Sequence, residues 1–134
     1  MKTLFLLSLL LGCGGDAPGT DAPTFPGAAL LTTSSPDGAW SFELRSDPQL
    51  LMRGVVSIQY RVKSPDGGVP SGMKVLPWMP AMGHGTSVTP TVKDEGGGVF
   101  TVTHVNFYMP GLWELRTHVE GTAPDDVAPQ FQIP

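Results

Sequence analysis

Cysteine occurs once, at position 13, so this chain of 134 residues cannot close a disulfide on itself or gather a thiolate cluster around a metal. Charge is also scarce. Only 15% of residues are Asp, Glu, Lys or Arg, and the net charge of −4 provides no basic face for nucleic acid. No apolar run approaches the roughly 20 residues that a membrane-spanning helix needs. Gly-x-Ser-x-Gly, His-Glu-x-x-His and the phosphate-binding glycine loop are all missing. These absences lead to the expectation of a non-catalytic protein.

Glycine and proline, by contrast, are abundant, at 17 and 14 residues. They are the two poorest helix formers, so long helices are disfavoured. Hydrophobic residues make up 40% of the chain, enough to drive folding rather than leave it disordered.

The first residues differ in chemistry from the rest. Lys2 precedes an apolar run over residues 4–11 that is broken only by Ser8. That length suits the core of a signal peptide. The run ends Leu10-Leu11-Gly12-Cys13, which resembles the bacterial lipobox. The resemblance implies cleavage before Cys13 and lipid on its thiol, with residues 1–12 as leader. Two or more acyl chains would anchor the protein stably. Residues 13–27 are rich in Gly, Ala and Pro and read as a flexible tether. Gly14, where Asp would favour inner-membrane retention, points to the outer membrane. The domain would then face the periplasm or the exterior.

From residue 28 to 134 the pattern is one of short alternating strands. Trp40, Phe42 and Leu44 alternate with polar residues, as do Val56, Ile58, Tyr60 and Val62. Residues 64–68 supply a turn. Residues 74–79 form a short strand that Pro77 demotes to an edge or an irregular strand, and residues 87–92 form another. Residues 94–98 read as a turn. Residues 99–109 are strand-like but change phase: Phe100 and Val102 share one parity, Val105, Phe107 and Met109 the other. A bulge at Thr103-His104 would turn both groups inward. Trp113, Leu115, Thr117 and Val119 alternate again, and a last strand is expected over residues 127–133. About seven short strands predict an all-β fold, an immunoglobulin-like β-sandwich, with a five-stranded barrel as competitor. Trp40, Phe42, Val56, Ile58, Tyr60, Phe107, Trp113 and Leu115 are the expected core.

One stretch has a composition that core packing does not require: Leu76-Pro77-Trp78-Met79-Pro80-Ala81-Met82-Gly83-His84-Gly85. Thioethers and an imidazole without carboxylates make a soft ligand set that favours Cu(I). The Trp78 ring could lie against such a cation. The same residues also suit plain roles, with methionine filling gaps in the core and glycines serving a tight turn. His104 and His118 occupy solvent-facing strand positions and are weak candidates as ligands.

The stretch Pro77 to Gly85, then Gly98-Val99-Phe100, then Phe107-Tyr108-Met109-Pro110-Gly111-Leu112-Trp113-Glu114-Leu115, resembles the YtkA-like domain. That family is related in character to the FixH and CopC-like envelope proteins. The resemblance implies an immunoglobulin-like sandwich outside a membrane, associated with copper or other metal handling. Its metal-facing positions here would be Met79, Met82, His84 and Met109. No histidine follows the leader as it would in a CopC-type copper(II) site, so Cu(I) is the expected ion. Two functions follow: a lipid-anchored copper module serving oxidase assembly or metal transport, or an accessory domain whose loop docks another envelope protein.

Overall fold

The computed structural model describes residues 24–25 and 27–134. The leader, Cys13 and most of the tether lie outside the described residues. Ten strands and no helix are found among the described residues: β1 (Leu31–Ser34), β2 (Ser41–Asp47), β3 (Gly54–Lys63), β4 (Gly72–Met79), β5 (His84–Gly85), β6 (Thr91–Gly96), β7 (Val99–Phe107), β8 (Gly111–Glu120), β9 (Asp125–Val127) and β10 (Gln130–Ile133). They form two antiparallel sheets, ordered β1-β2-β3-β7-β6 and β10-β8-β4-β5, with β9 also paired to β8. The expected all-β sandwich is what forms. It has more than seven strands because β1, β5 and β9 are edge pieces of four, two and three residues. Such pieces are too short to show a period of two.

The core lies where the alternation placed it. All eight residues expected there are buried, joined by Leu44, Val62, Val102, Val105, Val119 and Ile133. The phase change in β7 is a bulge. Val56 pairs with Val105 and Ile58 with Val102, so Ser57 faces both Thr103 and His104. His104 takes a positive φ of 61°, a left-handed conformation that histidine tolerates better than most residues. The extra residue restores parity, and Phe100, Val102, Val105 and Phe107 all point into the core.

Three boundaries differ from the sequence expectation. The strand expected over residues 87–92 begins only after Pro90, and β6 continues through Asp94, Glu95 and Gly96. A register shift between Asp94 and Gly96 absorbs this excess, leaving the turn to Gly97 and Gly98. β9 begins at Asp125, two residues before the expected last strand. The single last strand is split into β9 and β10 near Pro129, whose carbonyl still accepts the Leu115 N–H at 2.9 Å. β4 is not an edge strand, since it lies between β8 and β5, yet Pro77 is accommodated because β5 pairs only with Trp78 and Met79. The Pro77 carbonyl points toward Gly85, so its missing N–H faces away from β8 and costs no ladder bond.

Tyr60 links the two sheets. Its hydroxyl lies 3.0 Å from Thr117 Oγ1, and burial raises its phenol pKa well above the ordinary value, the Thr117 bond offsetting part of this. A raised folded-state pKa means that the neutral form is favoured in the fold. The stabilisation is complete below the unfolded pKa near 10 and is lost as pH rises toward the folded value. The expected cost per deprotonation is about 1.4 kcal/mol per pH unit in that window. Urea melts of wild type and Tyr60→Phe between about pH 8 and about pH 11 test it. Wild type should lose stability more steeply, and parallel slopes would refute the assignment.

The site is positioned by the way strands end. Gly54 pairs with Phe107 and Trp78 with Glu114. The β2–β3 loop, the β4–β5 turn and the β7–β8 turn therefore share one end of the sandwich.

Candidate functional site

The Met- and His-bearing stretch folds as a hairpin. β4 ends at Met79, and residues 80–83 make a turn in which the N–H groups of Met82 and Gly83 donate to the Met79 carbonyl at 3.2 and 2.9 Å. Gly83 takes a φ of 65°, which a side chain would resist. The chain returns as β5 with Trp78 opposite Gly85 and Met79 opposite His84. Residues directly opposite in an antiparallel pair project from the same face. In an extended chain Met79 and His84 would point to opposite sides, and only Met82 and His84 would share one. The turn reverses that pairing and brings Met79 and His84 together.

The four proposed ligands thus have different settings. Met79 is 4% exposed and forms part of the core. Its methyl lies over Gly111, where an added Cβ would sit 3.2 Å away. Met109, two residues before Gly111, is half-buried against the core, and its carbonyl accepts the Trp113 Nε1–H at 2.9 Å. Met82 is 53% exposed on the turn.

His84 is oriented by a residue that the sequence did not single out. Its Nδ1 lies 2.9 Å from the Tyr108 hydroxyl and 3.3 Å from the Gly85 carbonyl, and the Tyr108 hydroxyl donates to that carbonyl at 3.4 Å. A proton on Nδ1 satisfies all three contacts: Nδ1–H faces two acceptors while Tyr108 accepts from it and donates to Gly85. A lone pair on Nδ1 would face the carbonyl oxygen unfavourably. In that Nδ1–H tautomer the Nε2 lone pair is available; in the other tautomer the Tyr108 hydroxyl donates to Nδ1. The Tyr108 ring stacks on His84 at 6.2 Å and meets Trp113 edge-on at 5.5 Å, and Trp113 meets Phe107 at 5.4 Å. An aromatic series thus runs from the surface histidine into the core. Beside it is a cavity of about 330 Å³, lined by His84, Thr86, Ser87, Asn106 and Tyr108 among others. Tyr108 escaped notice because its parity is opposite to that of Phe107 and Met109. Nothing local reveals a partner 24 residues away.

A family model described as YtkA-like matches residues 35–118. The chain belongs to the YtkA-like family. The match covers well over half of the chain and includes Met79, Met82, His84, Tyr108 and Met109. Comparison with curated proteins and with solved structures found no match.

Other candidates in this YtkA-like domain have structural partners. Trp78 does not share the face of Met79 and His84. Its ring carries the Arg116 guanidinium 4.2 Å from the centroid, and Glu114 holds that arginine at 2.7 Å. The expected contact of Trp78 with a metal is thus replaced by Arg116. His104 is the exposed bulge residue, and His118 Nδ1 lies 2.8 Å from Asp126 Oδ1. Among the described residues no group of three or more His, Cys, Asp or Glu could hold a metal. A larger groove of about 980 Å³, bordered by Met73, Leu76, Pro90, Arg116 and Val127, contains none of the four proposed ligands.

Proposed function

We propose that this YtkA-like domain binds Cu(I) through His84 Nε2 and the thioethers of Met79, Met82 and Met109. It would do so as an envelope lipoprotein held to the outer membrane by lipid on Cys13. The observation that carries the metal reading is the Met79–His84 cross-strand pair, with the His84 ring held by Tyr108 at 2.9 Å from Nδ1. The donor set fits the ion, since soft thioethers and a neutral imidazole select Cu(I) over Mg²⁺ or Ca²⁺. Tyr108 would act as the outer hydrogen-bond partner that orients a ligating histidine. Leu10-Leu11-Gly12-Cys13 supports the anchor, and oxidase assembly or metal transport are the partner processes that fit.

Titration of the purified protein with Cu(I) against a competing chelator tests this. A sub-micromolar site is expected, weakened at least tenfold by His84→Ala, which corresponds to about 1.4 kcal/mol. Tyr108→Phe should weaken it less. Binding that is absent, or indifferent to His84, would refute the assignment.

A further inference from the structure

Large apolar side chains are exposed in the loop joining β2 to β3 and at the start of β3. Leu50 is 77% exposed, Met52 50% and Val55 63%, with exposed Arg53 among them. The loop is a built feature. Leu51 packs against the core, and the buried Ser46 hydroxyl lies 2.7 Å from the Pro48 carbonyl and 3.0 Å from that of Gln49. Leu50 and Met52 are thus presented outward from a fixed backbone. A cluster of exposed apolar residues on a small domain marks a contact surface.

The path of the chain indicates what covers it. The Gly27 carbonyl accepts a hydrogen bond from Arg45 near the end of β2, and Leu30 N–H donates to the Leu44 carbonyl. The Gly27 backbone also abuts the Gln49 side chain. The described domain therefore begins beside the apolar loop. Read from composition as a tether, the residues between Cys13 and the buried Phe25 would reach roughly 19 Å. β3 is ten residues long, about 33 Å, so the β3–β4 loop stands that much farther from the entry point.

We infer that the β2–β3 loop is a second membrane contact. Leu50, Met52 and Val55 enter the headgroup–acyl boundary of the bilayer that holds the Cys13 lipid, with Arg53 among the phosphates. The inference rests on the reading of Cys13 as lipid-bearing. It orients the sandwich with its His84–Tyr108 end toward the bilayer.

The test uses the lipidated protein in vesicles of phosphatidylethanolamine and phosphatidylglycerol. Lipid consumes the Cys13 thiol, so Met52→Cys offers one free thiol for a nitroxide label. Lys63→Cys places a label at the far end of β3. The label at 52 should collide with oxygen several-fold more than with a water-soluble nickel complex, and the label at 63 should show the reverse. Adding Leu50→Asp should return the label at 52 to water while attachment persists. A lipidated chain with both labels in water would overturn the loop contact alone. A second label on Cys13, found by mass spectrometry, would overturn the anchor and the proposal with it.

Discussion

Trp113→Ala should destabilise the domain by about 3–5 kcal/mol, the range for removing a fully buried large aromatic. Trp113 is 0% exposed, and its indole lies edge-on to both Phe107 and Tyr108. Alanine would remove that apolar surface, leave a cavity that surrounding strands cannot fill, and strip the Met109 carbonyl of its donor. Against a typical total of about 5–15 kcal/mol this is a large fraction. Chemical denaturation should show a lower midpoint with an unchanged slope. A change under about 1 kcal/mol would mean that the ring is not the packing centre of β8. Because Tyr108 rests on Trp113, the variant should also loosen the hydrogen bond that orients His84.

Gly98→Ala should cost about 2–5 kcal/mol, combining left-handed backbone strain with a backbone collision. Gly98 has a φ of 81°, its carbonyl accepts the Val62 N–H at 2.8 Å, and an added Cβ would strike the Val62 carbonyl oxygen. A carbonyl in a central strand cannot swing away as a flexible side chain would. Gly97→Ala provides the comparison: it shares the positive φ, and in thermal melts it should fall short of the Gly98 loss. Equal losses would show that backbone conformation alone, and not the close approach to β3, sets the cost.

Much of the fold was legible. The alternation in β2, β3 and β8 named their inward residues, and the broken parity of residues 99–109 located the bulge that His104 completes. These are local signals, since a strand with one buried face must repeat every two residues. The β5 edge was not legible, because two residues between a turn and a loop carry no period. Nor was the extension of β6 through Asp94 and Glu95. Turn-forming residues were read as a turn, whereas the bulge at Glu95 let them stay paired with β7.

The candidate site divides in the same way. Composition alone singled out Met79, Met82 and His84 as a stretch with soft side chains and no thiolate or carboxylate, with Pro80 and Gly83 to interrupt the strand, and the family resemblance added Met109. Tertiary structure decided which of these residues face one another. The turn at residues 80–83 places Met79 opposite His84, sends Trp78 to Arg116 on the other face, and leaves Met82 exposed. It also brought Tyr108, in the β7–β8 turn, to within 2.9 Å of His84 Nδ1. The physical reason is range. Side-chain parity follows from the backbone of a single strand, but the partner of a histidine depends on the register of strands that are distant in sequence.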